Sequence, residues 1–295
     1  MLGGFLVGVL SVLGLFLFSI FLFFESNLCL SWFFLELASI SFIPLFFCVG
    51  SSVNLVSLFY YLIISGVSSG LLLSGILFEE CVFFLVLGLL VKFGVFPFFG
   101  WVYSVIGGVN WLAVWGFTTL LKIPFILICF FLVVGLSWSN FIIFLCSVSC
   151  FFLSVLFWVF SANWSFCWCH MMLSSSSVLV SLSFSGCSFD SLFYIFLLYF
   201  VWASLVIYFF YWCTSFESGS DNYFYFLFYY CFLLLTFPIS FPIFYKVLVC
   251  VSVFSCGLFF LTCWLLYSIS EQLYFVFSAC GFFNQKGCPS VFGLV

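Results

Sequence analysis

Residues 88–101 read GLLVKFGVFPFFGW. Lys92 stands inside an apolar run, and Gly94 and Pro97 follow it closely. An ammonium at bilayer depth costs about 2.5 kcal/mol or more on insertion scales, so it persists where it faces a bundle interior, a partner or water. Proline removes a backbone donor and crowds the preceding turn. A broken helix at that depth survives where protein or water satisfies the freed groups. The stretch therefore reads as an interrupted membrane helix that carries a charge. The pattern recurs in FPISFPIFYKVLV (residues 237–249), where Pro238 and Pro242 precede Lys246. Interrupted helices with adjacent charge are the usual pointer to an ion site. The plainer alternative for Lys92 and Lys246 is a proline kink with a lysine snorkelling from a helix end.

The rest of the chain agrees. Of its 295 residues 68% are hydrophobic and 4% charged, and the mean hydropathy is +1.49. Soluble domains carry about 25% charged residues, so lipid must solvate this one. The net charge of −4 excludes a basic nucleic-acid surface. The pattern predicts an all-α polytopic membrane protein, one integral domain over residues 1–295. About ten transmembrane helices (9–11) are expected, two of them interrupted. The expected spans are 3–24, 28–49, 55–77, 81–105, 109–134, 138–160, 164–184, 189–212, 223–250 and 252–270. Glu25, Glu79, Glu80, Glu217, Asp221 and Glu271 read as helix-end or loop residues, and Asp190 as a helix start, where a carboxylate suits the dipole. The tail after Glu271 reads as an interfacial segment or a short eleventh helix. Lys286 is the only lysine outside a core stretch, too little for the positive-inside rule to give an orientation.

Phe occurs 53 times and Cys 16 times, and arginine is absent. The favoured residues have T- and G-rich codons, a bias typical of compact organellar genomes. Much of the Phe and Cys content therefore carries no functional message. The opening apolar run reads as a retained first helix, and a chain made inside the organelle needs no import signal. Cys167, Cys169 and His170 cluster, but a closed zinc site needs four well-spaced ligands, so no metal is expected. One histidine is too few for haem or haem–copper ligation. No Walker or G-x-G-x-x-G pattern occurs. No cofactor is expected on this chain, which leaves room for bound phospholipid.

Four ionisable residues lie deep in spans. Glu36 sits in SWFFLELASISFIPLFF (residues 31–47). An unpaired carboxylate there is costly, and Lys92 is its natural partner. Lys122, in TTLLKIPFIL (residues 118–127), shares a helix face with Thr118 and Thr119 at i−4 and i−3. A continuous helix with a hydrated stripe is expected there, loosened at Pro124. Lys246 is the fourth. Tyr61, Ser65, Ser68 and Ser69 also fall on one face, suited to close helix packing or to a water path. A row of lysines ended by a carboxylate can serve as a proton relay.

At these residues the chain resembles the antiporter-like membrane subunits of the mitochondrial respiratory NADH:ubiquinone oxidoreductase (complex I), the subunit 2 family in particular. LLVKFGVFPFFGW is similar to that family's L-x-K-x-G-x-x-P-F-H-x-W run, and TTLLKIPFIL to its downstream W-x-K-I-x-P. WFFLELASISFIPLF resembles the segment bearing the family's buried glutamate, and FPISFPIFYKVLV its G-L-P-P-F-x-G-F-x-x-K-W. The resemblance implies that Glu36, Lys92, Lys122 and Lys246 form a proton relay along a central polar axis. It implies membrane subunits of the same complex and lipid as partners, with NADH, FMN, iron–sulfur clusters and quinone bound elsewhere. The implied location is the mitochondrial inner membrane. The chain departs from the family pattern at Phe99, where His is usual. It also departs near Ser174–Ser177, whose likeness to a Tyr-Ser-Ser run is loose. The histidine expected shortly after that run is absent, with Leu179 near its place, and His170 does not align with it. Water or the Ser and Thr faces must then connect the lysines. Subunits 4 and 5 of the same complex, a free cation/proton antiporter and a purely structural membrane subunit are the competing readings.

Overall fold

The computed structural model describes residues 2–25, 27–48, 55–132, 138–161, 163–215 and 223–284. Every regular element among them is helical. Seven helices are long and apolar enough to cross a membrane. They include α1 (Leu2–Phe24), α2 (Leu28–Phe42, prolonged by a 3₁₀ turn over Ile43–Phe47) and α3 (Leu55–Leu77). Between them and the later long helices lie two interrupted stretches. The first holds α4 (Val82–Phe93) and α5 (Gly100–Ile106). The second holds α6 (Trp111–Trp115), a π turn at Gly116–Leu120 and α7 (Lys122–Leu132). Then come α8 (Ser139–Phe160), α9 (Trp164–Phe184) and α10 (Phe189–Ser215). A third interrupted stretch joins α11 (Tyr223–Leu233) to α12 (Phe241–Val253), and α13 (Leu258–Asn284) ends the described chain.

The helix α9 is the hub. Within its apolar window 89% of residues are buried, against 28% to 44% in the other six long helices. It is also the serine-rich helix. Its hydroxyls bond back to carbonyls of their own helix, as Ser174 to Met171, Ser177 to Ser174, Ser181 to Val178 and Ser183 to Val180. Self-satisfied small residues let neighbouring helices close in without stranding a polar group.

The face of α3 that carries Tyr61, Ser65, Ser68 and Ser69 is a packing face. Ser68 and Ser69 bond to Ser65 and Gly66 of their own helix. A Cβ on Gly88 of α4 would come within 2.9 Å of the Ser68 carbonyl, and one on Gly75 would collide with Leu85. The two helices therefore touch through glycine.

Two expected boundaries are corrected. The last expected span, 252–270, gives way to a helix over Leu258–Asn284, because residues 271–284 continue its apolar pattern. Glu271 is therefore neither a helix end nor a loop residue; it lies mid-helix, 3% exposed. The helix expected to run unbroken through Lys122 is interrupted by the π turn. Pro124 explains this, since its ring crowds the carbonyl of Leu120, four residues back. The amide of Leu121 reaches past it to the Gly116 carbonyl at 3.1 Å. Lys122 and Pro124 then open a new helix, where a missing amide costs nothing. Asp190 stands in the first turn of α10 as expected. Glu217, Asp221 and Lys286 lie outside the described residues.

Candidate functional site: buried ion pairs and an interior lysine

The break after Lys92 follows from Gly94. Its φ of 66° is left-handed, a conformation glycine adopts without steric cost. The Gly94 amide bonds to the Val91 carbonyl at 3.2 Å and the Val95 amide to the Leu90 carbonyl at 3.0 Å. This is the paired closure of a Schellman end. Trp101 adds a bond from its indole to the Val91 carbonyl at 3.0 Å. Lys92 thus occupies the last turn of α4, where the negative end of the helix dipole favours a cation. Its ammonium lies 2.8 Å from Glu36 Oε1 on α2, with the lysine side chain 5% and the glutamate side chain 19% exposed. Ser39 supports the carboxylate from 3.4 Å, and the Tyr61 hydroxyl donates to the Ser39 carbonyl at 3.0 Å.

Lys122 is placed differently. It is 4% exposed. Its ammonium donates to the Met172 carbonyl at 3.2 Å, to Ser175 Oγ at 2.8 Å and to the Tyr199 hydroxyl at 3.0 Å. No carboxylate is among these partners. The expected stripe with Thr118 and Thr119 does not form, because the π turn re-aims both. Thr119 bonds to the Trp115 carbonyl, and buried Thr118 Oγ1 has no protein partner. The same turn links two neighbourhoods. The Phe117 ring lies against Tyr61, and the Thr118 carbonyl accepts from the Tyr199 hydroxyl at 3.1 Å.

Lys246 follows the second proline break. Pro242 opens α12, and the turn before it is held by α13. Gln272 Oε1 accepts from the amide and hydroxyl of Thr236, and its Nε2 donates to the Leu234 carbonyl and to Glu271 Oε1. Lys246 pairs with Glu271 at 2.9 Å, the side chains 12% and 4% exposed. Sequence reasoning missed Glu271. The available signal was its spacing within an apolar run that continues past it.

The four expected site residues thus fall into three groups: Glu36 with Lys92, Lys122 among hydroxyls, and Lys246 with Glu271. Cys167 and His170 turn to separate partners. The Cys167 thiol donates to the Ser161 carbonyl at 3.6 Å, and His170 Nδ1 meets the Tyr103 hydroxyl at 2.7 Å. Among the described residues no group of three His, Cys, Asp or Glu side chains could hold a metal. Phe99, at the position where the resemblance calls for histidine, packs its ring against Phe96 and Tyr103. Comparison with known protein families and with curated proteins gives no match to this chain.

Proposed function

We propose that this chain is a core membrane subunit of a proton-pumping NADH:ubiquinone oxidoreductase in the mitochondrial inner membrane, of the subunit 2 type. On this reading the seven long helices and three interrupted stretches make ten crossings of an antiporter-like bundle that forms one domain. The chain holds no redox centre and takes part in enzymatic turnover through its neighbours. Its own work is to move protons through Glu36, Lys92, Lys122 and Lys246.

The observation that carries the reading is where the cations are. Lys92, Lys122 and Lys246 all point into the bundle, two of them onto carboxylates at 2.8 and 2.9 Å. Burying an ion pair is weak evidence for stability, since desolvation can exceed the attraction. Three such lysines in a chain with no arginine are better explained by work done on protons. A paired lysine can pass a proton to its carboxylate and become neutral. Lys122, held by two hydroxyls and the Met172 carbonyl, has no carboxylate among these partners to pin its charge in place.

Mild solubilisation and subunit identification test this. The chain should migrate with NADH:quinone reductase activity in a large assembly that includes related membrane subunits. A chain that purifies alone and exchanges cations for protons in vesicles would be a free antiporter. The internal pairing of Lys246 with Glu271 would suit that chemistry as well.

A further inference from the structure

One small cavity lies between α9, α10, α12 and α13. Its lining includes Ser174, Ser175, Tyr245, Lys246, Tyr267 and Glu271, and it offers about 20 Å³. A water needs roughly 10–15 Å³ and two or more polar partners. Tyr267 is 2% exposed, and its hydroxyl makes no hydrogen bond within the protein. Glu271 and Ser174 lie near that hydroxyl but outside bonding geometry. A buried hydroxyl is normally satisfied by protein or ordered water, and this one borders a cavity with room for a water. On the far side, Ser175 Oγ accepts from Lys122 at 2.8 Å. On the near side, the bonds from Lys246 and Gln272 both fall on Glu271 Oε1, which leaves Oε2 able to take a proton.

We propose that Glu271 is a further proton-carrying residue and that Tyr267 positions the water joining it to Lys122 through Ser175. The inference rests on the proton-relay reading above. In the step itself a Lys246 N–H bond breaks and a Glu271 O–H bond forms, leaving a neutral amine and a neutral acid. The Glu271 O–H bond then breaks as an N–H bond forms on a neutral Lys122, the cavity water and the Ser175 hydroxyl each accepting one proton and giving one up, and the reverse transfer restores the Lys246–Glu271 ion pair. Ser175 stands between that water and Lys122, so the two lysine sites exchange protons without touching.

Three variants of the assembled complex, taken from its own membrane, test this: Tyr267→Phe, Glu271→Gln and Lys122→Ala. Tyr267→Phe removes a hydroxyl that bonds to no protein group, so assembly is expected to be normal. Its proton-coupled NADH:quinone turnover should fall by about tenfold, which is about 1.4 kcal/mol on the barrier. Its solvent deuterium isotope effect should rise, a change that altered packing would not produce. Glu271→Gln should lose at least as much and should lack the carboxylic acid band that wild type gains in infrared difference spectra. Normal turnover and isotope effect in Tyr267→Phe overturn the proposal, whether or not Glu271→Gln assembles. If Lys122→Ala is impaired in that case, the relay reading survives without this branch. If Lys122→Ala is normal too, both readings fall.

Discussion

Two of the three interior lysines meet a carboxylate and the third, Lys122, meets neutral acceptors, and the difference predicts different mutants. Lys122 donates to three acceptors that keep other partners. Ser175 also bonds to the Met172 carbonyl at 2.7 Å, and Tyr199 to the Thr118 carbonyl. Lys122→Ala should therefore fold and assemble, because it removes an unpaired buried cation and strands no neighbour. If the proposed relay is right, turnover and proton yield of the assembled complex should both fall, and unchanged values for both would exclude Lys122 from a proton path. Glu36→Gln is the opposite case. It takes from the Lys92 ammonium the carboxylate at 2.8 Å, and breaking a buried pair costs about 3–5 kcal/mol, less here because Glu36 is partly exposed. The double variant with Lys92→Met should recover most of that loss. Thermal melts of the two singles and the double form a cycle, and additive losses would mean that the pair is not coupled.

The breaks in the helices are made by local chemistry and held by distant groups. Gly94 is the clearest case. A Cβ there would combine a left-handed backbone with a 2.7 Å approach to Val102. Gly94→Ala should destabilise by about 1–2 kcal/mol from conformation alone, read as a lower melting temperature in detergent. Equal melting temperatures would show that α4 can end without the left-handed residue. The break between α11 and α12 depends instead on Gln272. Gln272→Leu would remove the acceptor of the Thr236 amide and the donor to Leu234. An unsatisfied buried polar group costs about 1–3 kcal/mol. Hydrogen exchange at residues 234–240 should rise in that variant and stay unchanged across α9. The π turn belongs to the same class, set by Pro124 and used by Thr118 to reach Tyr199.

The bundle turns its lysines inward and many of its phenylalanines outward, although others such as Phe157 and Phe210 fill the core. Phe59, Phe244 and Phe254 are 62%, 60% and 66% exposed. If the phenylalanine excess reflects coding bias, these rings serve as bulk hydrocarbon. Changing all three to Leu should then move stability by no more than about 0.5 kcal/mol per site and leave assembly intact. A drop in the assembled fraction on native gels would mark those positions as contacts instead. The buried side of the molecule has no such tolerance, since glycine contacts set how closely α3 and α4 approach and self-bonded serines set how closely neighbours approach α9.

Fold class was legible in the chain because lipid solvation leaves a compositional mark no soluble domain carries, and because each span is bounded by its own polar break. The breaks near Lys92 and Lys246 were legible for the same local reason: glycine and proline act on their own turn. The Glu36–Lys92 contact was foreseen as a pairing by need, a buried anion requiring a cation. Three features were not read from the pattern. Glu271 looked like a loop acid because a carboxylate beside an apolar run is normally one, although the run continues past it. Its burial comes from Lys246, 25 residues upstream and brought close by the packing of α12 on α13. The π turn before Lys122 depends on whether a strained proline site bends or shifts register, which neighbouring helices settle. The orphan hydroxyl of Tyr267 and its cavity exist because four helices leave a gap the size of a water, a property of their separations.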